Sequence, residues 1–316
     1  MIGIMELYQL RTFVTVAETG KLTQASERLF TSQPAVSAHI KALEEELDIK
    51  LFERTSKGMR LTDHGEVLRD KAQLVLNASS DLKLKARTLQ GVLTGQARLG
   101  LNADAEYLRL AKWHNNLMTQ FSELKIQLTQ DTSVELLQKV MKGRLDVTFF
   151  SGDKLFDEME KIELCTTHAV IAAAPKWKEE LINATPEDLA KLPWIYPEPL
   201  CIYHKIIDHL FNDNNENNKL NWVTASATED STNAFLRAGV GLAFIRDDEA
   251  DRMLKKGEIV VWPGEAFSLP LGLGYLKSRK DDPLIKALVE NIIQVFGESC
   301  NRLPQALSHK VCTCID

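Results

Sequence analysis

Short polar side chains cluster around residue 33, where a helix is predicted to begin. Ser32 suits the N-cap of this helix, and Pro34 suits its first turn, where the N–H that proline lacks would have no helical partner. Hydroxyl, amide and cationic groups at the start of a helix can reach base edges and phosphates when that end enters a major groove. The residues predicted to make such DNA contacts are Thr31, Ser32, Gln33, Pro34, Ser37, His39 and Lys41.

The remainder of this helix carries an apolar stripe that would hold it against a core. The residues of the stripe are Ala35, Val36, Ile40, Leu43 and Leu47. A shorter predicted helix over residues 23–29 precedes it, so the pair forms a candidate helix-turn-helix. The same pattern also fits a three-helix bundle used only for packing, and spacing alone leaves both interpretations open.

A basic turn follows the second helix and has the character of a DNA-binding wing. Residues 50–60 contain four basic residues and one acidic residue, whereas the whole chain has a net charge of −6. Attraction to phosphates must therefore be focused on this turn and the adjoining helix, since the acidic remainder is repelled from DNA. The wing residues predicted to contact DNA are Arg54, Lys57 and Arg60.

The run ASERLFTSQPAVSAHIKALEEEL, followed by KLFER and RLTDHG, closely resembles the DNA-binding domain of LysR-type transcriptional regulators. One departure is Asp48, where the family usually has glycine, but aspartate tolerates a left-handed helix cap better than most residues. The resemblance implies a winged helix-turn-helix over residues 5–62 that binds promoter DNA. RNA polymerase is a further partner that it allows.

A long helix is predicted over residues 63–93, with apolar residues alternating by four and three. This spacing favours a coiled-coil seam, which would make the protein a homodimer, expected to pair into a dimer-of-dimers tetramer, on dyad-symmetric double-stranded DNA. An ordinary amphipathic helix packed on its own domain is the alternative. The residues of the stripe are Leu68, Ala72, Val75, Ser79, Leu82, Ala86, Leu89 and Leu93.

After Gly95, predicted strands and helices alternate, which implies an α/β domain with a mostly parallel sheet. The segments LLQKVMKGRLDVTFF and FLRAGVGLAFIRDD resemble the effector domain of the same family, which is similar to type 2, two-lobed periplasmic solute-binding proteins. The resemblance implies an effector-binding domain over residues 97–298. Lobe one comprises residues 97–163 and 267–298, lobe two residues 164–266, and residues 299–316 form a tail.

Small molecules bind such sheets beyond the carboxyl ends of the strands, here between the lobes. The predicted partner is an unidentified small-molecule effector, with no cofactor and no metal. Asp104 stands where relatives often offer serine or threonine, and we expect its charge to repel a carboxylate ligand. The residues predicted to bind the effector are Asn102, Ala103, Asp104, Thr132, Ser133, Ser151, Gly152, Cys201, Tyr203, His204, Thr228 and Glu229.

Two other classes of function were weighed against this one. The chain lacks the motifs GxGxxG, GxxxxGK[ST], HExxH and GxSxG, and a Cys201–His204 nucleophile would lack an orienting partner, so we expect no enzyme. A thiol-based redox-sensing regulator that uses Cys201 is the alternative function, since peroxide-sensing relatives keep a reactive cysteine there. The pair Cys312 and Cys314 in the tail is a weak metal signal.

The sequence also predicts a cytoplasmic protein. No apolar run approaches the roughly 18 residues that a membrane span needs, and the chain does not open with an export signal. Five scattered cysteines fit a reducing compartment. Met5 is a plausible alternative start to Met1.

Overall fold

The computed structural model describes residues 5–88, 93–152, 155–197, 201–212, 220–226, 228–297 and 311–312. It divides into two compact units, which we call the head unit and the two-lobed unit. The head unit comprises residues 1–95 with 139–145, and the two-lobed unit comprises residues 96–138 with 146–316. Among the described helices, none is both long and apolar enough to span a membrane.

Three helices form the body of the head unit: α1 (Leu7–Thr19), α2 (Leu22–Arg28) and α3 (Gln33–Leu47). The hydroxyl of Ser32 accepts a hydrogen bond from the N–H of Ala35, so it caps α3. Asp48 ends α3 at φ 52°, the left-handed conformation that its side chain tolerates. The stripe residues Val36, Ile40 and Leu43 are buried, as the helical spacing predicted.

The wing is an antiparallel hairpin of β1 (Phe52–Thr55) and β2 (Gly58–Leu61). Gly58 has φ +134°, and a Cβ there would lie 2.3 Å from the carbonyl oxygen of Gly20. The N–H of Met59 donates to that same oxygen at 2.8 Å. The turn end of the wing is therefore fixed against the end of α1 by a backbone contact that requires glycine.

The long helix α4 (Asp63–Thr88) follows the wing. Leu68 and Ala72 pack against the core of the head unit, whereas Val75 and Leu82 are 41% and 74% exposed. The predicted stripe is thus not one continuous seam, because its first turns are used by the head's own core. Leu89, also assigned to the stripe, lies outside the described residues.

Lobe one alternates strands and helices: β3 (Gly95–Leu101), α5 (Leu110–Gln120), β4 (Leu124–Gln130), α6 (Ser133–Met141) and β5 (Val147–Ser151). The long strand β6 (Met159–Ala173) then runs into lobe two. Residues 160–167 of β6 are half-buried or exposed, so no apolar run in the sequence marks this part of the strand.

Lobe two contains α7 (Lys178–Ile182), α8 (Pro186–Lys191), β7 (Trp194–Pro197), α9 (Ile202–Ile207), β8 (Trp222–Ser226), α10 (Glu229–Ala238), β9 (Ala243–Arg246), α11 (Asp247–Lys255) and β10 (Val260–Val261). Helices α7 and α11 were not predicted from the sequence. The chain returns through β11 (Ala266–Leu276) and ends the unit with α12 (Pro283–Gly297). In the tail, only β12 (Val311–Cys312) is described; Cys314 and the rest of residues 299–316 lie outside the described residues.

The main sheet is mixed, with the order β10-β6-β11-β5-β3-β4. Strands β3 and β5 are parallel, but β11 is antiparallel to both β5 and β6. The expectation of a mostly parallel sheet was therefore wrong, because the two strands that join the lobes run in opposite directions. The predicted return to lobe one at residue 267 is also early, since Phe267 and Leu269 pack in the core of lobe two.

Candidate DNA-binding surface and ligand cavity

The start of α3 presents its polar side chains to solvent. Thr31, Ser32, Gln33 and Pro34 are exposed, Lys41 is exposed one turn further along, and Ser37 is half-buried. A groove-entering helix needs such reachable groups at its N-terminal end. These predicted DNA-contacting residues therefore share one accessible surface, with Lys41 in an exposed pair with Glu45.

His39, also predicted to contact DNA, is placed differently. Its Nδ1 lies 3.0 Å from the hydroxyl of Thr12, and its ring packs against Tyr8 with centroids 4.7 Å apart. Both partners belong to α1, so the imidazole is held on the side of α3 that faces that helix. The sequence pattern could not separate it from the solvent face, because His39 sits at the boundary of the apolar stripe.

The wing presents three exposed cations, Arg54, Lys57 and Arg60, of which Arg60 forms an ion pair. Arg60 donates to Glu53 at 2.7 Å across the hairpin, and that hydrogen bond raises the pKa of Arg60. Because Glu53 offsets its charge, Arg60 contributes less to a phosphate contact than its position suggests.

Glu44 connects α3 to the wing and was missed by the sequence analysis. Its carboxylate accepts hydrogen bonds from the N–H groups of Leu51 and Phe52 and from the ammonium of Lys50. Burial would raise the pKa of Glu44, but these hydrogen bonds outweigh it and hold the pKa below its ordinary value. This one side chain fixes where the first wing strand leaves the helix.

In the two-lobed unit, a cavity of about 490 Å³ lies at the carboxyl ends of the strands. That volume is within the range of small-molecule sites. Gly152 and His204 do not line it: the His204 Nε2 lies 3.1 Å from the carbonyl oxygen of Pro197. The remaining predicted effector residues all line it, namely Asn102, Ala103, Asp104, Thr132, Ser133, Ser151, Cys201, Tyr203, Thr228 and Glu229.

One end of the cavity is formed by amide and hydroxyl groups of lobe one. Asn102 Nδ2 lies 2.9 Å from the Ser151 hydroxyl and 3.3 Å from the Ser133 hydroxyl. The N–H of Ser151 donates to the Ser133 oxygen at 3.0 Å. Asn102 Oδ1 is a buried acceptor that has no hydrogen-bond partner among the described residues. The cluster therefore keeps unused accepting capacity.

The opposite end contains Arg246, the last residue of β9, whose side chain is 5% exposed. Its Nη2 lies 2.6 Å from Asp104, its Nε lies 2.9 Å from Asp248, and its Nη1 contacts Glu229. The guanidinium also stacks 4.0 Å from the centroid of the Tyr107 ring. All three nitrogens of this buried cation are thus engaged by carboxylates.

The carboxylates around Arg246 differ in their electrostatics. Burial raises the pKa of Glu229 to about 7, since the attraction of Arg246 is offset by Asp104 and Asp248. For Asp104, burial is outweighed by hydrogen bonds from the Tyr107 N–H and Arg246, so its pKa lies below the ordinary value. Asp104 is therefore paired, and the charge expected from its sequence position alone is partly compensated.

The sequence analysis missed Arg246, which is the central residue of this arrangement. The signal available was an arginine directly after an apolar strand and before two aspartates, in the segment FIRDD. Carboxyl ends of strands point toward the ligand site in such sheets. An arginine at that register is a candidate ligand contact. One of its acidic partners, Asp248, lies in the same segment, whereas Asp104 and Glu229 come from other segments of the chain.

Cys201 lines the cavity, and Cys165 is half-buried like Cys201. Cys165 lies in β6, and Cys201 precedes α9. Among the described residues, no group of three or more histidine, cysteine or acidic side chains is arranged to hold a metal ion.

A winged helix-turn-helix joined to a two-lobed ligand-binding domain defines the class of DNA-binding transcriptional regulators. The family model described as the bacterial regulatory helix-turn-helix protein, lysR family, matches residues 7–66. The LysR substrate binding domain matches residues 90–297. The chain belongs to the LysR family, whose members are transcriptional regulators and not enzymes.

Individual relatives are distant. The chain is 29% identical over 204 residues to the HTH-type transcriptional regulator YeiE of Escherichia coli (strain K12), covering 65% of this chain and 68% of that protein. Full-length CbnR in complex with its target DNA has a TM-score of 0.61 at 19% identity, covering 92% and 99% of the two chains. Full-length LysG from Corynebacterium glutamicum with bound effector Arg has a TM-score of 0.63 at 19% identity, covering 94% and 100%. These structural likenesses establish the fold.

Proposed function

We propose that the protein binds a dyad-symmetric promoter site through α3 and the wing, and that a small molecule in the cavity between the lobes modulates this binding. The observation that carries the proposal is the presence, in one chain, of an exposed polar recognition surface and a cavity of ligand size lined by charged, polar and apolar side chains. A ligand that prefers one lobe arrangement would shift the equilibrium between DNA-binding states. A cytoplasmic location and contact with RNA polymerase belong to the same proposal.

The recognition surface is tested by separating base contacts from phosphate contacts. Gln33→Ala should reduce discrimination between the operator and a scrambled duplex by about 1–3 kcal/mol, because a base-edge contact is lost. Arg54→Ala should weaken binding to both duplexes alike and flatten the salt dependence by about one unit per phosphate lost in each protomer. Both are read by fluorescence anisotropy over a salt series.

Gln120→Ala, an exposed glutamine at the end of α5, is the matched control and should change neither quantity. A Gln33→Ala protein that retains full operator preference would show that another element reads the bases.

We also propose that the second half of α4 joins two protomers, as a dimer on a dyad site requires. Support comes from Leu82, a heptad-stripe residue that is 74% exposed in the isolated chain. Leu82→Asp should convert the oligomer to monomer in sedimentation experiments, because an unpaired charge in an apolar seam costs several kcal/mol. Ser80→Asp, on an exposed position of the same helix, should leave the oligomer intact.

A further inference from the structure

The charges that line the cavity are strongly unbalanced. Five carboxylates line it, and Arg246 is the single basic residue among the described lining residues. The five are Asp104, Asp131, Glu229, Asp230 and Glu249. A site of this kind attracts cations and repels anions, and the effect is strengthened where walls of low dielectric exclude water.

Arg246 is not available to neutralise an anionic ligand. Each of its three nitrogens already contacts a carboxylate, and its flat face lies on the Tyr107 ring. A carboxylate or phosphate ligand would have to displace Asp104, Glu229 or Asp248 and separate that acid from its guanidinium partner. A ligand cation, by contrast, adds positive charge where carboxylates outnumber guanidinium groups.

Other properties of the cavity restrict the ligand further. Ile195, Ile202, Phe244 and Leu269 supply apolar wall, so a hydrocarbon segment is favoured over a fully hydrated ion. The acids are not arranged as a metal site within the described part of the chain.

We propose that the effector of this cavity is a small organic cation, an alkylammonium or guanidinium compound, whose charged group is bound by Asp104 and Glu229. The inference rests on the proposed function and specifies the chemical class of its ligand. The bound cation shares these two carboxylates with Arg246. Because Asp104 belongs to lobe one and Arg246 to lobe two, the ligand loosens an ion pair that joins the lobes.

The test uses three five-carbon compounds of equal length on the full-length protein at pH 8. These are 1,5-diaminopentane, 1,5-pentanediol and glutarate, which are cationic, neutral and anionic. Diaminopentane should raise Tm in a concentration-dependent way, because it binds the folded state. Pentanediol and glutarate should leave Tm unchanged. An equal or larger shift with glutarate, or no shift with diaminopentane up to 20 mM, would overturn the inference.

Two substitutions locate the site. Glu229→Gln and Asp104→Asn should each weaken diaminopentane binding at least tenfold in calorimetry, with circular dichroism verifying that the variants are folded. Glu187→Gln removes the same charge from an exposed position on α8 and should bind like the wild type. Equal weakening in all three variants would mean that the amine responds only to overall charge.

The pH dependence provides an independent readout. Glu229 faces Arg246, Asp104, Asp248 and Tyr203, and its raised pKa means that it takes up a proton as pH falls from 8 to 6. An alkylammonium keeps its charge over this range. Diaminopentane affinity should therefore fall several-fold from pH 8 to 6, and Glu229→Gln should remove that dependence. A wild-type affinity independent of pH would contradict the assignment of Glu229.

Failure of this inference is distinguishable from failure of the proposed function. If a neutral or anionic metabolite stabilises the protein and alters operator binding, the regulator stands and the ligand class is wrong. If diaminopentane binds in the cavity but leaves operator affinity unchanged, the ligand class stands and the proposed coupling to DNA is wrong.

Discussion

The two-lobed unit contains two buried charge clusters, one with basic groups in excess and one with acidic groups in excess. In one, Asp146 accepts hydrogen bonds from two guanidinium groups, at 2.8 Å from Arg98 and 2.6 Å from Arg279. In the other, Arg246 is shared by three carboxylates. Both keep their central group almost free of solvent, at 2% and 5% exposure. The difference lies in which charge is in excess and in what surrounds it.

The comparison separates a structural cluster from a responsive one. Burial would raise the pKa of Asp146, but Arg98 and Arg279 outweigh it, so this acid stays ionised and its partners are fixed within lobe one. Around Arg246, the surplus acids line a cavity, and the pKa of Glu229 rises to about 7. A cluster with surplus charge next to open space can still change its protonation or accept a ligand.

The largest effect is expected at the structural cluster. Asp146→Ala leaves two guanidinium groups facing a buried site without their acid, which should lower the free energy of unfolding by about 3–5 kcal/mol. Urea denaturation of the full chain measures this loss. Glu258→Gln, which breaks a more exposed ion pair with Arg237, should lower the free energy of unfolding far less. Similar losses of unfolding free energy in the two variants would show that the Asp146 cluster is no more important for stability than an exposed ion pair.

Arg246→Met should have a smaller effect, near 2 kcal/mol at pH 8, since the released acids are partly exposed and can protonate or hydrate. Their side chains are 34% to 40% exposed. Stability should recover as pH falls toward 5, because protonation of Glu229 removes its repulsion by Asp104 and Asp248. An Arg246→Met loss that is the same at pH 5 and pH 8 would contradict the surplus of acid.

Glu229 should give the wild-type protein a distinct pH slope. Its pKa in the folded state, about 7, lies above the ordinary 4.5, so the folded state binds more protons between these values. The stabilisation from this group is complete below pH 4.5 and is lost as pH rises through 7. Unfolding measured from pH 5 to 8 should show Glu229→Gln with a flatter decline than wild type. Parallel curves would show that Glu229 titrates normally.

Cys201→Ser should have the smallest effect. The change keeps the size and a hydrogen-bonding group but removes thiol chemistry. The stability should therefore change little, and the affinity for the amine should change by no more than about tenfold. Operator binding with and without peroxide provides the measurement. A peroxide response that is present in wild type and absent in Cys201→Ser, together with indifference to amines, would favour the redox-sensing alternative.

The features that the sequence predicted correctly are those that depend on residues close together in the chain. The cap at Ser32, the stripe from Val36 to Leu43 and the wing depend on residues that are neighbours in the chain, and the structure has them as expected. The antiparallel direction of β6 and β11 depends on segments that are about a hundred residues apart, and no local pattern encodes it.

The ligand cavity shows the same limit. Loops after predicted strands were sufficient to bring together most of the candidate residues, because the carboxyl ends of strands meet at one edge. The partners of Asp104 were not predictable, since Arg246 is 142 residues away along the chain. The sequence therefore shows the charge of Asp104 but not the guanidinium group of Arg246 that it contacts.

The β6–β11 ribbon has a mechanical consequence for any ligand of the cavity. The two strands run side by side between the lobes, and their register shifts where Cys165 pairs with Leu271 and Glu163 with Gly272, leaving Leu164 as the extra residue. A bulge of this kind is the compliant point of an otherwise stiff ladder, so changing the lobe angle deforms an elastic element. Part of the binding free energy of a ligand is absorbed in that deformation. Compounds that bind most tightly and compounds that move the lobes furthest should therefore be different compounds.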